Sequence, residues 1–143
     1  MDLPNNTLKQ LLFYLEEKIK LLQDKRITKE ELKKTDGDLR TATERRLQLT
    51  IEACIDIARH IIAAQNLGVV EHNRDALLLL GEKGIVPRKI VAKVASAAEM
   101  RNVLVHGYQK VSYQEIYKAV KEDLKDLKKF AEYISNYIIR ESK

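Results

Sequence analysis

Between Leu39 and Gln65, apolar or small side chains recur every three or four residues. That spacing is the period of an α-helix, and it persists for about seven turns. The positions on this stripe are Leu39, Thr43, Leu47, Ile51, Cys54, Ile55, Ala58, Ile61 and Ile62. A helix this long with one apolar face must bury that face against other elements, and we expect Gly68 to end it as a C-cap.

Similar apolar stripes before and after this segment predict further helices. The first is predicted from Asn6 to about Arg26, and the last carries a stripe from Ile116 to Ile138. Capping and turn residues separate the segments: Thr28 with Glu31, Asp36 to Asp38, Asn73, Gly81 with Gly84, Pro87, Gly107, and Ser112 with Glu115. With only five Gly and two Pro, the sequence predicts one all-α domain over residues 1–143, an antiparallel helical bundle of three long helices and shorter additional ones.

The composition excludes several classes of protein. The single cysteine, Cys54, lies among apolar residues and is interpreted as part of the core, so neither a disulfide nor a zinc cluster is expected. There is no secretory leader pattern and no apolar stretch of membrane length, which predicts a cytoplasmic protein. The net charge of +5 favours contact with polyanions, although lysines spread over solvated helix faces explain it nearly as well.

Arg101 is the most unusual charged residue, because helical spacing places it on the apolar face that contains Val94 and Leu104. A guanidinium on such a face needs an anion or a crevice to receive it. Periodicity alone favours an internal ion pair with Glu52 or Asp56. The other interpretation is a site for an external anion.

His106 follows Arg101 by five positions, at the predicted end of the same helix. An imidazole there can leave the helix and reach a site beside Arg101, or it can act as a C-terminal cap that interacts with the helix dipole. The spacing of one arginine and one histidine is a weak signal by itself.

The residues around this pair make the pattern specific. Arg101, Asn102, Leu104, Val105, His106 and Tyr108 closely resemble the signature of HEPN domains in the HepT toxin family. The segment from Leu47 to Ile62 resembles the long second helix of that family, and the resemblance extends over nearly the whole chain. The connection from Val69 to Val86 is the part least like the family.

The resemblance implies a metal-independent endoribonuclease without cofactors, in which Arg101 and His106 of both protomers of a two-fold homodimer face one cleft. The RNA substrate supplies its own nucleophile, the 2′-hydroxyl, and two histidines can divide the two proton transfers. Arginine can bind the phosphoryl oxygens as negative charge develops. Asn102 is either an auxiliary phosphate contact or a polar residue of the dimer interface.

Tyr108, two positions after His106, is the second functional candidate. Without the family, packing on the end of the bundle is the favoured interpretation. The resemblance implies instead that Tyr108 accepts AMP from a partner nucleotidyltransferase, an antitoxin of the MntA kind. Each adenylate would add bulk and negative charge beside a cleft that receives RNA phosphate.

Two rival interpretations remain open at the level of sequence. The chain can be a non-catalytic HEPN module that binds a nucleotidyltransferase partner or a nucleotide. It can also be a purely structural helical dimer. Arg40, Arg45 and Arg46 are interpreted as solvent-facing charge, with guidance of RNA as the alternative. His60 and His72 are interpreted as surface or helix-side residues, and Tyr133 and Tyr137 as packing residues rather than base-stacking platforms.

Overall fold

The computed structural model describes residues 6–106 and 111–142, and all of its regular structure is helical. The α-helices are α1 (Asn6–Leu22), α2 (Lys29–Leu32), α3 (Asp38–Gln65), α4 (Asn73–Glu82), α5 (Arg88–His106), α6 (Tyr113–Lys118) and α7 (Leu124–Glu141). A π-helical turn, Ala119–Asp123, joins α6 to α7. The predicted all-α bundle is confirmed.

The long helix α3 lies at the centre of the bundle and contacts α1, α4 and α5. Its predicted stripe is buried, from Leu47 at 1% exposure through Cys54 at 0% to Ile62 at 4%. The helices α1 and α5 also pack against α7, so the apolar faces of all the long helices meet in a single core. No helix in the described segments combines the length and the apolar character needed to cross a bilayer.

One predicted helix end and one predicted C-cap are wrong. Helix α1 ends at Leu22 and not near Arg26, because Asp24 turns the chain and accepts hydrogen bonds from the backbone and side chain of Arg26. Helix α3 is capped by Asn66 and not by Gly68. Asn66 adopts a left-handed conformation with φ of 52°, which asparagine tolerates better than most residues.

The predicted caps are partly confirmed. Thr28 and Ser112 each accept a hydrogen bond from the backbone N–H three residues later, at 3.3 and 3.2 Å. Asn73 is not a cap, because His72 holds that position and the Asn73 side chain accepts a hydrogen bond from Arg59 instead. Helix α4 also continues past Leu80 to Glu82.

Gly81 lies inside α4 and not between helices. A Cβ atom at this position would approach the Val91 side chain on α5 to 2.7 Å. The missing side chain therefore allows α4 and α5 to pack closely, which overrides the low helix propensity of glycine.

The last helical segment is interrupted where the sequence predicts one continuous helix. Its buried positions Ile116, Val120 and Leu124 are four residues apart, and each such step drifts by about 40° around a regular α-helix. The π-helical turn Ala119–Asp123 has a wider backbone turn. It thereby keeps these three side chains directed at the core.

Candidate functional site

Arg101 extends from α5 towards α3, where it meets Glu52. Its Nε donates a hydrogen bond to Glu52 Oε1 at 3.1 Å, and its Nη2 lies 3.1 Å from the same oxygen. The two side chains are 26% and 28% exposed, so the ion pair lies at the surface end of the α3–α5 contact. Of the two partners suggested by the sequence, Glu52 is the one that contacts Arg101.

Asn102 contributes the third contact of the guanidinium. Its side-chain oxygen accepts a hydrogen bond from Arg101 Nη1 at 3.2 Å. A guanidinium carries five N–H donors, so these three contacts leave capacity for an anion. These contacts fix the direction of the Arg101 side chain, and its guanidinium stays accessible from solvent.

Two carboxylates of α3, Glu52 and Asp56, interact with this arginine. Glu52 also accepts a hydrogen bond from Gln48 Nε2 at 3.1 Å, and Asp56 follows Glu52 by one helical turn. Partial desolvation of its carboxyl group raises the pKa of Asp56 above its ordinary value, and the negative charge of Glu52 raises it further, while Arg101 and Arg59 act in the opposite direction. The guanidinium of Arg101 thus contacts Glu52 and lies within the electrostatic influence of Asp56, both on α3.

The histidine and the tyrosine of the motif are only partly covered by the structure. His106 is the last residue of α5, so the backbone positions of Arg101 and His106 belong to one helix. The side chain of His106 and the whole of Tyr108 lie outside the described residues. Arg101, Asn102 and Glu52 are the residues of this region that the structure brings into contact.

At the end of α5, Val103 and Leu104 pack against the core, whereas Val105 is exposed. Val105 shares its helical position with Ala98, seven residues earlier, yet it is 40% exposed where Ala98 is 6% exposed. Val103 and Leu104 are only partly buried. Val105 is therefore an exposed apolar side chain about one helical turn after Arg101.

The arginines near the start of α3 differ from the sequence interpretation. Arg40, taken there as a solvent-facing or RNA-guiding residue, is only 6% exposed. Its guanidinium donates hydrogen bonds to the Leu32 and Val111 carbonyl oxygens, at 2.7 and 2.6 Å, and to Glu44. The Leu32 carbonyl group lies at the C-terminal end of α2, where helical partners are lacking, and the Val111 carbonyl group lies in the loop before α6. Arg40 supplies a donor to both.

Arg46 also has a structural contact, because it donates to the Leu21 carbonyl oxygen and lies 3.7 Å from Asp24. Arg45 is exposed, as expected of solvent-facing charge.

The other candidates are distributed as follows. Cys54 is fully buried, and burial raises the pKa of its thiol, so its assignment to the core is confirmed. His72 is exposed and His60 is partly buried. Tyr137 is buried, whereas Tyr133 is 38% exposed. Among the residues that the structure describes, no group of three His, Cys, Asp or Glu side chains is arranged to hold a metal ion.

Sequence comparisons identify similar proteins. The family model described as "Ribonuclease HepT-like" matches residues 15–134. The chain is 32% identical over 101 residues to "mRNA nuclease HepT" of Shewanella oneidensis, covering 71% of this chain and 76% of that protein. It is 31% identical over 97 residues to "tRNA nuclease HepT" of Aphanizomenon flos-aquae, covering 68% of this chain and 66% of that protein.

A solved structure agrees with these matches. The tri-AMPylated HEPN toxin of Shewanella oneidensis, in complex with the MNT antitoxin, superposes with a TM-score of 0.82 at 27% identity. The superposition covers 92% of this chain and 98% of that one. The chain therefore belongs to the family of HepT-like ribonucleases.

Proposed function

We propose that this protein is the endoribonuclease toxin of a toxin–antitoxin pair and that Arg101 and His106 cleave RNA without a metal ion. The observation that carries the proposal is the partly exposed guanidinium of Arg101, held by Glu52 and Asn102 on the helix that ends at His106. The names of two relatives, mRNA nuclease and tRNA nuclease, support RNA as the substrate.

The reaction uses the 2′-hydroxyl of RNA as the nucleophile. One imidazole removes its proton, the 2′-oxygen bonds to the adjacent phosphorus, and the bond from phosphorus to the 5′-oxygen breaks. A second imidazole, protonated at the start, gives its proton to the leaving 5′-oxygen. The products are a 2′,3′-cyclic phosphate and a 5′-hydroxyl. One imidazole has gained the proton that the other has lost.

Arg101 stabilises the charge that develops on the phosphoryl oxygens during this step. A guanidinium stays protonated at every working pH and can donate two parallel hydrogen bonds. Glu52 contacts Nε and Nη2 and Asn102 contacts Nη1, so the remaining N–H groups of the two terminal nitrogens would bind the phosphate. Asn102, already bonded to Nη1, is placed to act as an auxiliary phosphate contact.

A homodimer would supply the second histidine. Val105, 40% exposed about one helical turn from Arg101, lies on the surface that such an interface would cover. In a two-fold arrangement the same surface of each protomer covers the other, and Arg101 and His106 then occur twice around one cleft. Light scattering of the purified protein is expected to give the mass of a dimer.

The partner is a nucleotidyltransferase antitoxin that modifies Tyr108. The tyrosyl oxygen attacks the α-phosphorus of ATP, pyrophosphate leaves, and the phenolic proton passes to solvent. The tri-AMPylated state of the Shewanella oneidensis relative supports this assignment. Negative charge added two residues from His106 would repel the RNA backbone.

The decisive experiment compares the parent protein with His106→Ala and Arg101→Ala on cellular RNA in the presence of a chelator. The parent is expected to leave 2′,3′-cyclic phosphate ends, and each variant is expected to lose at least about a hundredfold in rate. His72→Ala and Arg45→Ala are matched controls, because both residues are exposed and neither contacts Arg101 in the described structure.

A non-catalytic HEPN module is the second candidate, since Arg101 is already paired with a carboxylate within one protomer. In that case Arg101 and His106 would bind nucleotide or the nucleotidyltransferase. The same experiment would then show intact RNA with the parent protein, together with retained binding of the nucleotidyltransferase.

A further inference from the structure

Two tyrosines of α6 lie beside three lysines on the surface where α2 packs against α6. The Lys33 ammonium lies 5.4 Å from the ring centroid of Tyr113, and the Lys29 ammonium lies 5.2 Å from that of Tyr117. Lys121, in the π-helical turn, lies 5.6 Å from the same Tyr117 ring. We call these five residues the tyrosine–lysine platform.

The platform has a regular spacing. Lys29 begins α2 and Lys33 caps its C-terminal end four positions later, and Tyr113 and Tyr117 are four residues apart on α6, so each row has a step of about 6 Å. The two rows face each other in opposite chain directions, and each ring has an ammonium beside it. The platform thus presents two successive aromatic rings, one with an ammonium group beside it and the other with two.

The two helices of the platform are held together by a buried group. Arg40, at 6% exposure, donates hydrogen bonds to the carbonyl oxygens of Leu32 at the end of α2 and of Val111 just before α6. Tyr113 and Tyr117 are themselves partly buried against the core. The rings are therefore fixed before any ligand arrives, which lowers the entropic cost of binding.

We propose that the tyrosine–lysine platform binds single-stranded RNA, with bases stacked on Tyr113 and Tyr117 and phosphates contacted by Lys29, Lys33 and Lys121. The inference rests on the proposed ribonuclease function and adds to it a surface that holds the substrate. Aromatic rings recognise unstacked bases without sequence preference, and duplex bases are not accessible to them. Lysine ammonium groups supply the attraction to phosphate.

The lysines beside the rings do not prevent stacking. An exposed contact of an ammonium with an aromatic ring contributes only about two- to fivefold to an equilibrium constant. Stacking of a base on a protein ring contributes about five- to 150-fold. A base can therefore displace Lys29 or Lys33 from its ring, and the released ammonium then meets the phosphate of the same strand.

The platform lies within reach of the proposed cleavage site. Seven positions separate His106, at the end of α5, from Tyr113, at the start of α6. A chain of that length spans no more than about 25 Å. A single strand of several nucleotides can thus contact both places at once.

The test measures binding of a fluorescent 2′-O-methyl RNA strand, which lacks the nucleophilic hydroxyl, by anisotropy. Tyr113→Leu and Tyr117→Leu are each expected to weaken the Kd by about five- to 150-fold, since leucine keeps an apolar contact but cannot stack. Tyr113→Phe and Tyr117→Phe keep the ring, and their Kd is expected to stay within about twofold of the parent.

The lysines are tested through the salt dependence of the Kd. Replacing Lys29, Lys33 and Lys121 by Gln is expected to reduce the slope of log Kd against log salt by about 2, at about 0.7 for each phosphate contact. These side chains are at the surface, so this variant decides the question even if the leucine variants do not fold. The matched control is the isolated pair on α1, where the Lys18 ammonium lies 5.0 Å from the Tyr14 ring centroid. Tyr14→Leu and Lys18→Gln should leave binding unchanged.

Unchanged affinity and salt slope in the platform variants would overturn the proposal. The proposal also fails if these variants bind RNA like the parent but lose a nucleotidyltransferase partner, because the surface is then a protein-docking site. Failure of the ribonuclease proposal gives a different result. A parent that binds the strand through the platform but leaves unmodified RNA intact refutes catalysis alone.

Discussion

The Arg101 guanidinium on α5 contacts a single oxygen of Glu52 on α3 through two nitrogens, each 3.1 Å from it. This pair fixes the direction of the side chain that we propose to bind the phosphoryl oxygens. Because both partners are about a quarter exposed, at 26% and 28%, phosphate can approach the guanidinium without separating the helices. We infer that Glu52 is a positioning residue that acts through Arg101.

Replacing Glu52 should change kcat more than KM. Glu52→Gln keeps an oxygen acceptor for Arg101 but loses its charge, so kcat is expected to fall by about tenfold or less. Glu52→Ala removes the acceptor as well and is expected to cost more than Glu52→Gln. Neither change should raise KM, since the lost carboxylate competes with RNA phosphate for the guanidinium. Steady-state kinetics on a defined RNA measure both constants.

The control for this prediction is Glu44→Gln, which alters an acid of the same helix that pairs with Arg40. Its kcat should match the parent. Equal kcat in the parent and in Glu52→Ala would show that Glu52 does not position Arg101 for the reaction.

Asp56 is expected to make stability depend on pH. Asp56 is at the surface, and its pKa in the folded protein is raised above the ordinary value of 3.8 by the partial desolvation of its carboxyl group and then by Glu52. The folded state thus binds this proton more tightly than the unfolded state does. As the pH rises from 3.8 through the higher pKa of the folded state, Asp56 therefore lowers the free energy of unfolding. Asp56→Asn should therefore be more stable than the parent at neutral pH, and the difference should shrink below pH 3.8.

Urea unfolding at neutral pH and below pH 3.8 measures the difference in the free energy of unfolding between Asp56→Asn and the parent. Asp36→Asn, at an exposed aspartate before α3, makes the same change of charge and serves as the control. A neutral-pH stability of Asp56→Asn below that of the parent would refute the assignment of partial desolvation as the dominant cause.

Arg40 is expected to be important for stability. Arg40→Met would leave the buried contacts of the Leu32 and Val111 carbonyl oxygens without their donor, at a cost of about 3 kcal/mol in the free energy of unfolding. Arg45→Met, five residues later and exposed, should change it by less than about 0.5 kcal/mol. Chemical denaturation that gives both variants the same midpoint would show that the Arg40 contacts contribute little.

The sequence predicts the parts of the fold that depend on repeated side chains. The stripe from Leu47 to Ile62 repeats over many turns, so it identifies α3 and its buried face. Glu52 is named, with Asp56 as the alternative, as a partner of Arg101 because the cation lies on an apolar face and needs an acid on a neighbouring helix. Those inferences succeed because each rests on side-chain chemistry alone.

The missed features depend on backbone groups that no side-chain pattern reveals. Arg40 resembles a surface arginine in sequence, and its partners are the carbonyl oxygens of Leu32 and Val111, the latter 71 positions away. Asn66 competes with the nearby Gly68 for the role of cap, and only the backbone conformation decides between them. The roles of His106 and Tyr108 remain predictions from the motif.

The most direct test of the account uses an RNA with a single 2′-deoxy nucleotide at a mapped cleavage position, incubated with the protein and a chelator. The account predicts that cleavage at that position disappears, while the unmodified RNA is cut there and ends in a 2′,3′-cyclic phosphate. Continued cleavage at the 2′-deoxy position, or cleavage of unmodified RNA only after a divalent metal is added, would contradict it.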